Sequence, residues 1–297
     1  MEQSLIKDLP FLPPIPEGAS DAEVIAALRL TIKQVQETLL PTQEELPQIT
    51  NVTFDVFYTC LSNHERFGGD WYKVQTMAKW LDGGFHKDDV LAISLGDVAG
   101  HGLQAAIVMS RVVQTLQSAI LAEHEPPSAV LSKANQMLNV KADNPMVTAI
   151  FGYLNVRAGT FEYATAGQMP PLWVSREGHA EYLPTNGIPL CCESQLITSD
   201  QFTAMPPGSS IVLFSDGLVE CAHRNIERAL EELRVIAADE LPKFNPHPAA
   251  AIARRMWRGH EQLDDISVLT FTMKNKVDVT PKTLKDPEPK PLPRSEG

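Results

Sequence analysis

Apolar and polar positions along this chain follow two different rhythms. From Val52 onward, short apolar runs predict strands at Phe54–Cys60, Trp71–Trp80, Val90–Val98, Val147–Val156, Thr160–Thr165, Pro171–Val174, Ser210–Ser215 and Ile266–Met273. Apolar residues at helical spacing interrupt them at Leu103–Ala122, Ser128–Asn139, His223–Ala238 and Pro248–Arg258. Asp82-Gly83-Gly84 and Arg157-Ala158-Gly159 are hairpin turn signals, and strands joined that closely are antiparallel. Strands in runs with helices in pairs predict an α+β architecture, not a doubly wound parallel sheet.

Nearer the start, Val24, Ala27, Leu28, Ile32, Val35 and Leu39 recur at helical spacing. They predict a helix from Asp21 to about Leu40, with Ser20 as its N-cap and Pro41 as its stop. That apolar stripe needs cover, either from the main body of the protein or from a second copy in a homodimer. Residues 1–19 are proline-rich and read as a flexible arm, 20–45 as the helix and a linker, and 46–274 as one folded domain. Residues 275–297, rich in Pro and Lys with little to bury, read as a disordered tail.

Composition narrows the function. The 297 residues are 43% hydrophobic, enough for a substantial core. Lys and Arg number 25 against 37 Asp and Glu, a formal charge of −12 that argues against a nucleic-acid partner. No apolar run reaches membrane-span length, and the N-terminus lacks the blocks of a signal peptide. Cys60, Cys191, Cys192 and Cys221 have neither disulfide-framework nor zinc-site spacing. A reduced, cytoplasmic protein is the expectation.

Four aspartates stand at strand ends. In Val90 to Gly102, VLAISLGDVAGHG, a buried-strand pattern delivers Asp97 into a glycine-rich turn ahead of a helix. Such a carboxylate suits a hard cation, Mg²⁺ or Mn²⁺, or else simply caps the helix. Asp70 follows Phe67-Gly68-Gly69, Asp216 ends the run Ile211 to Ser215, and Asp264-Asp265 directly precedes Ile266. Clustered carboxylates repel unless a cation sits among them, so these acids are either a metal centre or four independent turns.

The ordered motifs GGDWYKV, GDVAGHGLQAA, AGQMPPLWV, LFSDGLVE and DDISVLTF resemble the PPM family of metal-dependent Ser/Thr phosphatases, in the bacterial branch of RsbU and SpoIIE. Gln36 to Pro41 is similar to the QxxLLP segment leading into that branch's catalytic domain, and the resemblance runs from about Gln34 to Met273. It implies two stacked antiparallel sheets flanked by helices, with two Mn²⁺ or Mg²⁺ ions at one end and residues 46–274 as the phosphatase domain. Asp97 would bridge the ions, the Val98 backbone carbonyl would help hold one, and Asp216 and Asp264 would complete the other site. Asp70 would act from the second metal's side, whereas Asp265 would be a structural neighbour.

The chemistry implied is phosphoserine or phosphothreonine hydrolysis by a metal-activated water. Asp97 and Asp70 are then the catalytic carboxylates. His101 is a candidate acid for the leaving group and Arg66 a candidate phosphate ligand, against plainer readings as a loop histidine and an exposed arginine. The branch implies a phosphorylated STAS-domain substrate of the anti-anti-sigma type, in a partner-switching stress response. Two departures stand out: Lys73 replaces a second acid of the first motif, and Gln168 replaces a histidine of AGHxPP. They motivate the alternative, a weak or inactive PPM-fold module that binds a phosphorylated signalling partner.

Overall fold

The computed structural model describes residues 19–27, 40–60, 68–77, 90–100, 103–122, 125–139, 145–220, 225–259 and 262–274. The expected arm, most of the first helix, the Asp82-Gly83-Gly84 turn, Trp80 and the tail lie outside them. Residues 21–27 are helical, and Ser20 caps them as expected. Its backbone N–H and hydroxyl donate to Glu23 Oε2 at 2.8 Å each, while Glu23 N–H donates back to Ser20 Oγ at 3.4 Å.

Ten strands form two five-stranded sheets. One takes β1 (Val52–Thr59), β10 (Ile266–Met273), β9 (Ser210–Phe214), β6 (Leu172–Val174) and β7 (Ala180–Tyr182), in that spatial order. The other takes β2 (Trp71–Thr76), β3 (Val90–Val98), β4 (Val147–Asn155), β5 (Thr160–Ala166) and β8 (Gln201–Ala204). Every neighbouring pair is antiparallel. Helices α1 (Leu103–Ala122) and α2 (Pro127–Leu138) cover the β2–β8 sheet, and α3 (Ile226–Glu240) and α4 (Pro248–Met256) cover the other. This is the expected α+β sandwich.

Alternation decides which side chains meet between the sheets. Phe54 and Phe271 are register partners on β1 and β10, with ring centroids 6.2 Å apart. Phe271 reaches across the sandwich to meet Phe161 of β5 edge-on at 5.2 Å, and full burial of such rings contributes about 1.5–3 kcal/mol each. The outward faces are apolar too: Val212, Phe214 and Val268 pack with Leu233, Ile252 and Met256 under α3 and α4. Asp55 faces the same way from β1. Its carboxylate accepts from the Ala249 N–H at 2.8 Å and lies 3.2 Å from His247 Nδ1, tying the start of α4 to the sheet.

β3, β10 and α1 run as predicted, and most other ends differ by one to three residues. Two strands have no pattern in the sequence. β7 has three residues, of which Ala180 and Tyr182 pack on the core under α3, and β8 is a four-residue edge strand whose Phe202 is 68% exposed, so both are too short to show a period. α3 starts at Ile226 rather than His223, because Asn225 accepts the Arg228 N–H and caps it.

Gly96 lets β3 close on its neighbours. A methyl group there would collide with the ring of fully buried Trp71 and the Thr148 carbonyl oxygen. Gly96→Ala is expected to cost about 1–3 kcal/mol by overpacking, read as a lower urea midpoint at unchanged slope.

Candidate metal centre

Strand pairing gathers the acids. β2 and β3 pair with Trp71 opposite Gly96, and one step further along that register Asp70 faces Asp97. In the other sheet, the Ser215 N–H donates to the Ser267 carbonyl at 3.0 Å, which brings Asp216 beside the Asp264-Asp265 entry to β10. The sheets meet here through Tyr58 and Tyr72, whose ring centroids are 6.3 Å apart. Four strand ends thus deliver carboxylates to one end of the sandwich.

Glycines make room for them. A side chain at Gly69 would strike the Val98 carbonyl oxygen and Asp97 Oδ1, so both oxygens face the same small clearing. At Gly68 it would strike Asp265 Oδ2 and the Tyr58 hydroxyl. Gly217 packs on the Asp265 carbonyl and Asp264 Cβ, which turns Asp216 into a 3₁₀ turn (Asp216–Leu218).

The electrostatics are those of a crowded anionic site. Burial, followed by the charge of Asp97, pushes the fully buried Asp70 carboxyl well above its ordinary value, with the Ser215 hydroxyl opposing. Burial and then the Asp216 and Asp264 charges push Asp97 up to about 7. Asp216 rises to about 6 through burial, Glu220 and Asp264. Asp264 itself is exposed and accepts the Asp265 N–H at 2.8 Å.

These groups fit a divalent cation in kind. Asp70 Oδ2 is buried without a hydrogen-bond partner, and a backbone carbonyl and several carboxylate oxygens border one clearing. Hard oxygen donors of this type suit Mg²⁺ or Mn²⁺, which need few protein ligands because they keep waters. Among the described residues, no three His, Cys, Asp or Glu side chains form a closed cage.

Of the residues singled out in the sequence, Asp70, Asp97, Val98, Asp216 and Asp264 come to this end, and Arg66 and His101 lie outside the described residues. Lys73 points the other way. It pairs with Ser94 on the helix-covered face and lines a small space with Val113, Leu116 and Gln117 of α1, so it does not offset the acids' charge. Gln168 donates to the Phe214 carbonyl at 3.4 Å, bracing the strand that carries Asp216. Two further acids bear on the site. Asp265, 7% exposed, adds its charge to Asp70 and Asp97, and its inward direction follows from the alternation Ser267, Leu269, Phe271. Glu220 lies one helical turn beyond Asp216 and raises it, a spacing visible in the sequence.

Comparison with known proteins matches residues 87–274 to the family described as Stage II sporulation protein E (SpoIIE). The chain belongs to the SpoIIE family. It is therefore a PPM-type phosphoprotein phosphatase by class. The SpoIIE match contains Asp97, Asp216 and Asp264 but begins after Asp70. Phosphoserine phosphatase RsbU of Bacillus subtilis (strain 168) is 28% identical over 226 residues, 71% of this chain and 67% of that protein. The crystal structure of the RsbU and RsbW domains of a Mycobacterium tuberculosis protein superposes with a TM-score of 0.67 at 24% identity. That match covers 77% of this chain and 63% of the other, under two thirds of its length. RsbX in complex with magnesium superposes with a TM-score of 0.56 at 15% identity, over 77% of this chain and 98% of that one.

Two outcomes follow from the site. Asp97 and Asp216 hold protons to higher pH in the folded protein than in an unfolded chain. Without a cation, the folded state therefore binds more protons between about pH 4 and 7 and loses stability as pH rises through that range. In chelator, the melting temperature is expected to fall from about pH 5 to about pH 7.5, and Asp97→Asn to flatten the fall. Lys73→Gln is expected to leave Mn²⁺ affinity, read by calorimetry, unchanged.

Proposed function

We propose that this chain is an RsbU-like serine/threonine phosphatase acting on a regulatory phosphoprotein, with residues 46–274 as its catalytic domain. The observation that carries the reading is the meeting of Asp70, Asp97, Asp216, Asp264 and Asp265 from both sheets at one end of the sandwich. In this reading two Mn²⁺ or Mg²⁺ ions are held by Asp97, the Val98 carbonyl, Asp216 and Asp264, with Asp70 beside them; magnesium in the structurally similar RsbX supports the choice. Bound there, such ions supply positive charge for a phosphoryl group and a water acidic enough to attack it near neutral pH.

The protein's own part is placement. Asp97 and Asp70 come from paired strands of one sheet, and Asp216 and Asp264 from paired strands of the other, so their separation is set by sheet packing. Raised carboxyl pKa values make the empty site hold protons, which a cation must displace. Cation affinity therefore rises with pH.

The substrate we infer is a phosphorylated STAS-domain protein of the anti-anti-sigma type, supported by the RsbU likeness and by a related structure that joins RsbU and RsbW domains. A cytoplasmic setting is part of this reading, supported by the likeness to RsbU; none of the described helices is long and apolar enough to cross a membrane. A homodimer through the sequence stripe Leu28, Ile32, Val35 and Leu39, which lies outside the described residues, is part of this reading.

Turnover of an aryl phosphate and a phosphoserine peptide, with Mn²⁺, Mg²⁺ or chelator, tests the reading. Hydrolysis should require metal, and Asp97→Asn should lower it by more than about 100-fold, since losing even an outer partner of a metal ligand costs about 10–100-fold. Turnover that survives chelation would overturn the metal mechanism. Metal uptake without turnover of either substrate would leave a phosphoprotein-binding module instead.

A further inference from the structure

The segment from Leu183 to Asp200 between β7 and β8 has no regular structure beyond a bridge at Leu190, yet it is tightly held. The Asn135 side chain of α2, 1% exposed, accepts the Cys191 N–H at 2.9 Å and donates to the Glu193 carbonyl at 3.0 Å. Leu190 exchanges both backbone hydrogen bonds with Val147, at 3.2 and 2.8 Å. Val147 is in turn the register partner of Val98. The loop is therefore stitched to the strand beside the acidic end of the sandwich.

At its centre are two adjacent cysteines. Cys191 has φ +66°, the left-handed region, and no other non-glycine residue does so among the described residues. A β-carbon makes that conformation unfavourable, so the backbone is strained and held by its surroundings. Cys192 is exposed, and Cys191 is half-buried. The two thiols sense one another: the Cys192 charge adds to burial in raising Cys191, and Arg111 of α1 opposes. Nothing in the phosphatase reading uses this pair.

We propose that Cys191 and Cys192 are a dithiol modification site, closed to a reversible disulfide by a hydroperoxide, and that closure loosens the loop from β4. The Cys192 thiolate attacks the distal peroxide oxygen, giving a sulfenic acid and, after protonation, water or an alcohol. The Cys191 sulfur then attacks the Cys192 sulfur; the S–O bond breaks, the S–S bond forms, and the hydroxyl leaves as water with the Cys191 proton. Two thiols are oxidised and one peroxide is reduced. Adjacent Cα atoms are about 3.8 Å apart, below the usual span of a disulfide, so the ring is strained and readily opened by thiols. That suits a switch and not a staple. Closing it rotates the Cys191–Cys192 peptide, whose neighbours make the bonds to Asn135 and Val147.

The test exposes the full-length protein to hydrogen peroxide, maps its cysteine peptides by mass and follows amide hydrogen exchange. The Cys191–Cys192 peptide should lose 2 Da, as two hydrogens leave, and regain them in dithiothreitol. Exchange at the Val147 and Leu190 amides should quicken at least about 10-fold on oxidation, the change expected when a hydrogen bond worth about 1.4 kcal/mol is lost. Cys192→Ser should show neither change, nor should Cys191→Gly, which retains the left-handed backbone. A peptide that stays reduced, one that gains oxygen without losing hydrogen, or a disulfide with unchanged exchange would each overturn the proposal. Neither readout needs metal or turnover, so the result is independent of the phosphatase reading.

Discussion

Repulsion among buried carboxylates is the constraint around which this molecule is built. Two unit charges about 4 Å apart, at an effective dielectric of about 20, repel by about 4 kcal/mol, a large part of a typical domain stability of about 5–15 kcal/mol. Asp70, Asp97 and Asp265 are mostly or fully buried, and Asp216, Glu220 and Asp264 stand at the opening. An isolated strand could not hold such a group. Two five-stranded sheets can, because each acid-bearing end is fixed by ladder hydrogen bonds and by aromatic packing further down the sandwich.

The same constraint explains the company the acids keep. Small residues stand where another side chain would fill the clearing: Gly68 and Gly69 before β2, and Gly217 after β9. Serines line the inward positions next to the acids on β9 and β10, where Ser215 favours the charged form of Asp70. Among the described residues, basic side chains stand elsewhere. Lys73 stands on the opposite face of its sheet, and Arg234 and Arg255 pair with acids on the outer helices. The described side chains at this end are anionic, and a cation among them would balance their charge.

Helices beyond the sheets are bonded to them by particular polar groups as well as by apolar packing. Asp55 reaches from β1 to the first turn of α4, and Asn135 reaches from α2 to the 183–200 loop. The second of these matters for the site, because that loop bonds the strand beside Val98. A change in the helical layer thus has a short covalent and hydrogen-bonded route to the carboxylates.

The sequence by itself determined where the strong elements lie. β3, β10 and α1 have long uninterrupted apolar patterns, and periodicity is a local property that needs no partner to be read. It also determined which aspartates stand at strand ends, since an acid between an apolar run and glycine is a local arrangement. Tertiary structure alone decided the rest. Whether Asp70 and Asp97 meet depends on the β2–β3 register, and whether Asp216 and Asp264 join them depends on how two sheets stack. Lys73 is three residues from Asp70 in sequence, but strand alternation puts it on the far face. β7 and β8 have no local signature because they are short pieces whose stability comes from the strands beside them. Proximity in the folded chain is set by pairing between distant segments, and one sequence carries no direct record of it.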